Sequence, residues 1–411
     1  MTDRPRVLVL AQNYPSPVHP TRGLWVERLV RATLPHADPT VIAPVPWRAA
    51  RAPAQPRLDP AGFPVWHPAV LGGVTHHLHP VEARLGFPRI RRLADRLHAE
   101  QSFDLIHAHF VYPDGVVAAR LGRRYGIPVV TTEHAFWRPW LDRYPGVRAQ
   151  VLAALPDIHT VSGVSEAVRA QVHEMVGGTV RTSVLHPVVD DRTFNGGSDA
   201  ARYDPGQLLF VGFIRHVKGL DVAVHALARL ARTHPTLRLK VVGDASLFRA
   251  YRRDQDAVRA LVDRLALGGR VTFAGAMTPA AVAAEMRRSA LLVVPSRRET
   301  FSSVTAEALA CGTPVVATRC GGPQEILTGA DGVLVAVDDP EALADGITDV
   351  LDRRASFGSA DISARAIARF GWSAAAGRIT ALYREVTTSP DGDTLTGRGA
   401  DRPAPSRSLP A

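Results

Sequence analysis

Short apolar runs alternate with helix-forming segments along this chain, and that alternation limits its possible folds more than any other feature. One series of predicted strands and helices fills the first half, and a second begins after the linker-like stretch Asn195-Gly-Gly-Ser-Asp. Alternating strands and helices form parallel sheets with helices on both faces. We therefore predict an α/β protein in which two doubly wound, Rossmann-like parallel-sheet domains face each other across a cleft.

The predicted elements define the domain boundaries. Strands are predicted at residues 6–11, 40–45, 104–108, 128–132, 208–213, 238–242, 271–274, 291–294 and 314–317. Helices are predicted at residues 23–34, 114–125, 220–232, 279–289, 302–310, 340–353 and 372–386, with a further helical region ending at residue 265. The first domain is then 1–195 and the second 206–369, followed by a closing segment at 370–386. The tail 387–411 is too poor in apolar residues to fold alone, so we expect it to be disordered.

The net charge of +10 is spread over both halves of the chain. Nucleic-acid-binding proteins usually gather basic and aromatic residues in one patch or arm, so nucleic acid is not predicted as a partner. Small anionic substrates or an anionic membrane surface fit this charge better. Segment 85–97 places arginines between Ile90, Leu93 and Leu97. This pattern is typical of a helix lying on lipid, and also of a domain helix with one solvated face.

Two features favour the cytoplasm. The N-terminal apolar stretch, Val7 to Ala11, is shorter than the hydrophobic region of a secretory signal, and no apolar run approaches the ~18 to 20 residues that span a bilayer. Cys311 and Cys320 flank a predicted strand that would hold them about 20 Å apart, too far for a disulfide. We therefore expect a cytoplasmic protein with reduced cysteines, with peripheral contact at the inner face of the cell membrane as a further option.

Two glutamates flank a predicted helix start that follows a strand ending at Pro295. Glu299 lies in the loop, and Glu307 lies about one and a half turns inside the helix. The first backbone N–H groups of a helix have no partner within it and bind anions. Here these groups belong to Phe301, Ser302 and Ser303. The geometry suits a phosphate with a glutamate on either side; the alternative is two ordinary surface acids around an N-cap serine.

A turn at the start of the second domain carries Arg215 and Lys218. Lys218 is one of only two lysines in a chain whose other cations are arginines. An arginine offers a planar fork to phosphate oxygens and a lysine offers a compact charge. Both would lie beside the anion site just described. A solvated turn is the alternative interpretation.

These residues resemble the retaining, nucleotide-sugar-dependent glycosyltransferases of family four, which have the GT-B fold. The likeness extends over about residues 5–386. It rests on the paired glutamates, the turn 212–219 and several further segments. These segments are Asp104-Leu-Ile-His-Ala-His-Phe, Thr131-Thr-Glu-His, Val161-Ser-Gly-Val-Ser-Glu, Ala310-Cys-Gly-Thr-Pro, Gly321-Gly-Pro-Gln-Glu-Ile, Phe370-Gly-Trp and Tyr383. The family often has glycine where Ser302 stands, and an Asn-Gly pair where His186-Pro187 stands.

The resemblance implies that the second domain binds the nucleotide-sugar donor. Gly212, Arg215 and Lys218 would bind its diphosphate. The remaining phosphate contacts would come from the backbone N–H groups of Phe301, Ser302, Ser303 and Val304. Glu299 would bind the hydroxyls of the donor sugar and Glu307 the nucleoside ribose. The closing segment would cross back to the first domain.

The resemblance also implies that the first domain holds the acceptor, expected to be a glycan, a lipid-linked sugar or a small molecule. His134 would contact the transferred sugar, and Gly23 would let the first helix approach donor and acceptor. Phe136-Trp-Arg-Pro-Trp lines the acceptor entrance in one interpretation and is buried packing in the other. The sequence has no Asp-x-Asp metal-binding motif at a suitable strand end, so cations would replace a metal ion and we expect no metal or cofactor. The resemblance also implies that the anomeric configuration of the sugar is retained.

The remaining histidines favour structural roles. His107 and His109 end a predicted strand, where bonding the following turn is favoured over ligand or base chemistry. His76, His77 and His79 have no cysteine or acidic partner nearby, so no metal site is predicted.

The sequence is also compatible with two other functions. One is a nucleotide-sugar epimerase of the same fold, and the other is a non-catalytic protein that binds nucleotide-sugar or glycan.

Overall fold

The computed structural model describes residues 4–388, apart from 18, 48–55, 72–78, 198–202 and 244–248. Most of the tail predicted to be disordered therefore lies outside the described residues, as do His76 and His77. The first two residues of that tail, Thr387 and Thr388, belong to the last helix.

The first domain is built on an eight-stranded sheet. Its strands are β1 (Arg6–Leu10), β2 (Asp38–Ile42), β4 (Arg57–Leu58), β5 (Pro64–Trp66), β7 (Leu105–His109), β8 (Val129–Glu133), β9 (Thr160–Gly163) and β10 (Arg181–Val184), and β3 (Val45–Pro46) pairs separately with β6 (Ala69–Val70). The sheet order is β10-β9-β8-β7-β1-β2-β5-β4. Every pair in it is parallel except β4 with β5. Its helices are α1 (Leu24–Thr33), α2 (Glu82–Glu100), α3 (Val116–Tyr125), α4 (Arg138–Arg143), α5 (Pro145–Ala154) and α6 (Glu166–Val176).

The second domain is built on a six-stranded parallel sheet. Its strands are β11 (Asp204–Val211), β12 (Arg238–Val242), β13 (Val271–Gly275), β14 (Ser289–Val294), β15 (Val315–Thr318) and β16 (Gly332–Val335). Its helices are α7 (Leu220–Leu230), α8 (Arg249–Arg264), α9 (Pro279–Arg288), α10 (Ser303–Ala310), α11 (Gly322–Ile326), α12 (Pro340–Asp352) and α13 (Ser359–Phe370), followed by α14 (Trp372–Thr388). The order β13-β12-β11-β14-β15-β16 reverses direction between β11 and β14. The prediction of two Rossmann-like domains is confirmed.

The central strands form because their side chains are apolar on both faces, as a parallel sheet covered by helices requires. All six residues of β14 are buried, and so are the last four of β1. Polar residues mark the helix starts. The hydroxyl of Ser165 accepts from the N–H of Val168 at the start of α6, and Asp339 accepts from two N–H groups at the start of α12.

The chain passes between the two domains twice, and the two connecting segments are hydrogen-bonded to each other. The N–H of Val189 donates to the carbonyl of Phe370 at 2.8 Å, and the indole of Trp372 donates to the Asp190 carboxylate at 3.1 Å. After this point α14 packs on α1 of the first domain. Residues of α14, including Ile379 and Tyr383, share a buried cluster with residues of α1. The closing segment therefore lies against the first domain.

The apolar face of α2 is buried within the first domain. Ile90, Ala94 and Leu97 belong to its core, and the guanidinium of Arg89 donates to the carbonyl of Ala69. This helix therefore has the arrangement of a domain helix with one solvated face, and its buried face offers no surface to lipid. Within the described ranges, no helix combines the length and apolar character needed to cross a membrane.

Both cysteines are free and buried. Burial raises the pKa of the Cys311 thiol to about 12 and that of the Cys320 thiol to about 11. Because the thiolate is the reactive form, neither side chain is poised for redox or nucleophilic chemistry.

Gly219 lets the turn after β11 lie directly against Pro295, the residue after β14. This close contact can be tested by its effect on stability. The φ of Gly219 is +67°, and a Cβ there would lie 1.9 Å from the carbonyl oxygen of Pro295. Gly126 has a similar φ of +69° with open space around it. We expect Gly126→Ala to lose ~1 to 2 kcal/mol of unfolding free energy from backbone strain, and Gly219→Ala to lose a further ~1 to 3 kcal/mol from overpacking. Urea unfolding measures both. Equal losses would show that the close approach has no energetic consequence.

Candidate active site

The candidate site lies where strand order reverses in the second sheet. The chain leaves neighbouring strands β11 and β14 in opposite directions along the sheet, which opens a crevice at their carboxyl ends. The loop after β11 carries Gly212, Arg215 and Lys218, and the loop after β14 carries Glu299. The two motifs are therefore adjacent in space although they are far apart in sequence.

An ion pair joins these two loops. The Lys218 ammonium lies 2.7 Å from Oε1 of Glu299, and the hydroxyl of Ser296 donates to the same oxygen at 2.7 Å. The Glu299 side chain is only 9% exposed and that of Lys218 is 26% exposed. An ammonium held in a partly buried crevice beside a helix start is placed to attract an anion.

Arg297 is a residue that was not identified from the sequence. Its guanidinium makes two bonds to the Asp221 carboxylate, at 2.9 and 2.8 Å, and a further ion pair with Asp338 at 2.6 Å. Its backbone N–H also donates to the carbonyl of Val217 at 2.8 Å. Arg297 thus fixes the position of Lys218 in the turn. The one sequence signal for it was its place two residues before Glu299.

Arg215 is not a member of this ion pair. It is exposed, and its guanidinium lies over the ring of Tyr251 at 4.6 Å from the centroid. Lys218 thus contacts the glutamate loop, whereas Arg215 contacts Tyr251. Gly212 has a φ of +154°, and a Cβ at this position would have nothing within 4 Å, so its backbone borders open space.

The start of α10 has no side-chain cap, so its first backbone N–H groups are available to a ligand. Ser302 is the N-cap and has a left-handed backbone with φ of +76°, a conformation in which glycine is unstrained. Its hydroxyl contacts the hydroxyl of Thr305 at 2.8 Å and does not cap the helix. Ser303 is exposed and Val304 is partly buried, whereas the Phe301 ring is buried against Phe370. The left-handed Ser302 explains why glycine suits this position.

Glu307 reaches across to the first domain. The guanidinium of Arg28, in α1, donates to its carboxylate at 3.2 Å. Burial raises the pKa of Glu307, and the Arg28 charge opposes that shift. Arg28 was not identified from the sequence, since an arginine on the polar side of a helix carries no distinctive signal.

Gly23 precedes α1 with a φ of +71°. A Cβ at this position would lie 2.1 Å from the carbonyl oxygen of Asn13. The glycine is therefore required by contact with the protein's own loop, which brings the start of α1 to the cleft.

Three histidines stack at the carboxyl ends of β7 and β8. His107 is bonded by the hydroxyls of Tyr383 and Thr132, each at 2.8 Å. Its contacts are therefore structural, but they are made with side chains of α14 and β8 and not with the turn after β7. His109 Nδ1 lies 3.1 Å from His134 Nε2. Burial lowers the pKa of His134 to about 3, with a smaller contribution from His107, so its imidazole is neutral at neutral pH. Among described residues, no three His, Cys, Asp or Glu side chains gather in a group able to hold a metal ion.

Two buried carboxyls beside these histidines were not identified individually from the sequence. Glu133 accepts from the N–H groups of Val111, His134 and Ala135, at 3.0, 2.8 and 2.7 Å. Asp114 accepts from the N–H of Gln12 at 2.9 Å. Burial raises the pKa of each to about 7. Both carboxyls organise the loops at the strand ends, and Glu133 fixes the backbone of His134.

Polar contacts close the cleft at one end. The hydroxyl of Ser165 donates to the carbonyl of Thr300. The Glu325 carboxylate accepts from the N–H of Glu166 at 2.7 Å and contacts His186 Nε2 at 2.6 Å. The segments around Val161 and Gly321 therefore meet at the domain interface, and His186 occupies this contact where the family often has asparagine.

Comparisons with known proteins agree with this architecture. The family model described as Glycosyl transferases group 1 matches residues 192–366, and that of Glycosyltransferase Family 4 matches residues 52–193. D-inositol 3-phosphate glycosyltransferase 1 of Catenulispora acidiphila is 32% identical over 320 residues, covering 71% of this chain and 74% of that protein. D-inositol 3-phosphate glycosyltransferase of Frankia alni is 34% identical over 320 residues, covering 71% and 77%.

Two solved structures share the fold. Sucrose-phosphate synthase from Thermosynechococcus elongatus superposes with a TM-score of 0.76 at 24% identity, covering 93% of this chain and 99% of that one. Anabaena HepE in complex with UDP superposes with a TM-score of 0.71 at 18% identity, covering 93% and 100%.

The buried histidines predict a pH dependence of stability. Burial lowers the pKa of His107 to about 3, whereas an unfolded histidine titrates near ~6.5. The unfolded chain binds a proton at this histidine below pH ~6.5, whereas the folded protein does not until the pH nears 3. The free energy of unfolding should therefore fall by roughly 1.4 kcal/mol per pH unit between these values. Urea unfolding from pH 7 to 4.5 should show the stability advantage of wild type over His107→Gln shrinking with acidity. His225→Gln, at an exposed position, is the control. A constant difference between wild type and His107→Gln would contradict this account.

Proposed function

The chain belongs to the group 1 glycosyltransferases of glycosyltransferase family 4, and from that membership we propose that it transfers a hexose from a nucleoside-diphosphate sugar with retention of configuration. It is a transferase enzyme of the GT-B fold. The observation that supports the donor chemistry is the Lys218–Glu299 ion pair beside the uncapped start of α10. A cation and free backbone N–H groups together suit a diphosphate.

The donor would lie across this ion pair. Its diphosphate contacts the Lys218 ammonium and the N–H groups of Ser303 and Val304, while the sugar hydroxyls bind Glu299. Glu299 retains a role once the phosphate competes for the ammonium, because sugar hydroxyls then donate to its carboxylate. The nucleoside ribose binds Glu307 and takes over part of the contact now made by Arg28.

The reaction breaks the bond between the anomeric carbon and the diphosphate oxygen, and forms a bond from that carbon to an acceptor oxygen. The leaving diphosphate takes the acceptor's proton, so no separate base is needed. Lys218 and the N–H groups of α10 stabilise the negative charge that develops on the leaving group. In this proposal Lys218 and the N–H groups of α10 act in place of a metal ion, and no cofactor takes part.

His134 faces the transferred sugar from the first domain. Its neutral imidazole, 3.1 Å from His109, exchanges hydrogen bonds with sugar hydroxyls and adds no positive charge beside the oxocarbenium-like carbon. Glu133 holds the backbone of His134 in place.

The nature of the partners follows from the same proposal. HepE was crystallised with UDP, and UDP-linked hexoses are therefore the first donors to test. The acceptor class is a glycan, a lipid-linked sugar or a small molecule. A cytoplasmic location, and contact with an anionic membrane, stay predictions from the sequence.

A donor screen tests the proposed function. Purified protein is incubated with a panel of nucleotide-sugars, with and without candidate acceptors, and free nucleoside diphosphate and sugar isomers are measured. The proposal predicts diphosphate release that increases with acceptor. Isomerised sugar would instead indicate an epimerase, and absence of diphosphate release from every donor would contradict the proposal.

The two lysines offer a matched pair of variants. Lys218 and Lys240 each form an ion pair with a glutamate at 2.7 Å and are similarly exposed, at 26% and 24%. Lys218→Ala should lower the turnover number by roughly 100- to 1,000-fold, by analogy with loss of one oxyanion donor. Lys240→Ala removes an ion pair of the same length away from the strand ends and should leave turnover within a few-fold of wild type. Similar rates for both variants would remove Lys218 from the mechanism.

A further inference from the structure

A cavity of about 330 Å³ opens in the first domain, and the proposed donor contacts do not occupy it. This volume lies within the range of small-ligand sites. Most of its lining is apolar, from Phe110, Tyr112, Phe136, Trp137, Leu141 and Val151. The first four are aromatic and the last two aliphatic. Such a lining suits an apolar group.

The cavity lies beside the place where donor and acceptor would meet. The Phe110 ring lies 4.9 Å from the His134 ring. Phe136 approaches the second domain, because a Cβ on Gly321 would lie 3.4 Å from its Cζ. Gly321 in turn pairs with Glu299. Phe110 and Phe136 are partly exposed whereas Trp137, Leu141 and Val151 are buried, so the cavity opens toward the cleft.

The cavity offers few polar partners. Glu133 lines its base, but its carboxylate already accepts three backbone N–H groups. None of the described lining residues is a lysine or arginine. Inside the cavity a phosphate would lie beside the Glu133 carboxyl, and a polyol would leave hydroxyls unbonded against the aromatic walls. An apolar group avoids both costs.

Phe110 forms one wall of the cavity and has a strained backbone that hydrogen bonds hold in place. Phe110 has a φ of +70°, which is unfavourable for a bulky residue. Its N–H donates to the carbonyl of Thr132 at 2.8 Å, and its carbonyl accepts from Gly115 at 3.0 Å. These bonds fix the aromatic ring between the cavity and His134. Strained residues of this kind concentrate at functional sites.

We propose that this cavity binds an apolar alkyl or aryl group carried by the acceptor, so that the hydroxyl-bearing part of the acceptor lies at His134. The inference rests on the proposed function and adds the acceptor's chemical class to it. An acceptor of this kind would differ from inositol 3-phosphate, for which the relatives are named and which is polar throughout.

Three glucosides at concentrations below micelle formation serve as probes. Calorimetry compares the binding of methyl, phenyl and octyl β-glucoside to wild type. Each buried methylene should strengthen binding about fourfold, so we expect octyl or phenyl glucoside to bind at least ~10-fold more tightly than methyl glucoside. A larger gain for octyl indicates a lipid chain, and a larger gain for phenyl indicates an aryl group. Equal affinity of all three would overturn the proposal.

Two variants test whether the cavity is responsible. Ala135→Phe fills it from its lining, and Ala99→Phe adds the same ring at an exposed position of α2. The preference over methyl glucoside should vanish in Ala135→Phe and persist in Ala99→Phe. Phe136→Ala, which removes a wall, should reduce the preference at least threefold and serves if Ala135→Phe fails to fold. A preference unchanged in Ala135→Phe or Phe136→Ala would overturn the proposal.

UDP titration of the same proteins separates this inference from the proposed function. A protein that shows the glucoside preference but neither binds UDP nor releases diphosphate from a donor would refute the donor assignment alone. One that releases diphosphate without the preference would refute the apolar site alone.

Discussion

The candidate site depends on the ion pair between Lys218 and Glu299, which joins loops 81 positions apart in sequence. The reversal of strand order between β11 and β14 makes the contact possible, and the close approach at Gly219 sets its distance. Each charge stabilises the other until a ligand binds. In the proposed complex a diphosphate competes for the ammonium and a sugar for the carboxylate, so both groups are already positioned before the donor binds.

Contacts between the two domains also shape the cleft. Arg28 lies at Glu307, and Glu325 joins His186 to the start of α6. With α14 packed on the first domain, these contacts hold the histidines at β7 and β8 opposite the donor loops. In the proposed complex the second domain contacts the charged donor, whereas the first domain presents a neutral imidazole and an aromatic cavity. Such a division would allow acceptor specificity to vary without changes at the diphosphate site.

Much of the fold was predictable because buried parallel strands are continuously apolar, and the strands predicted in the second domain all exist. Strands β3, β4, β5, β6, β9, β10 and β16 were missed because each has only two to four residues, too few to show a clear pattern. Thr160–Gly163 and Gly332–Val335 also contain glycine or polar residues that are typical of turns. Lys218 and Glu299 were identified as separate ligands. Their mutual contact was not, since pairing at this distance depends on sheet topology. The role of Arg28 likewise comes from a tertiary contact that leaves no sequence signal, and the position of Arg297 near Glu299 did not reveal its contacts with Asp221 and Val217.

The central claim is that Lys218 binds the terminal phosphate of a nucleoside diphosphate. Titrating UDP and UMP into wild type and Lys218→Ala by calorimetry isolates that phosphate, because the two ligands differ by it alone. We predict that wild type binds UDP at least ~10-fold more tightly than UMP, and that the difference largely disappears in Lys218→Ala. If the variant kept the full preference for UDP, the phosphate would lie elsewhere and the account would be wrong.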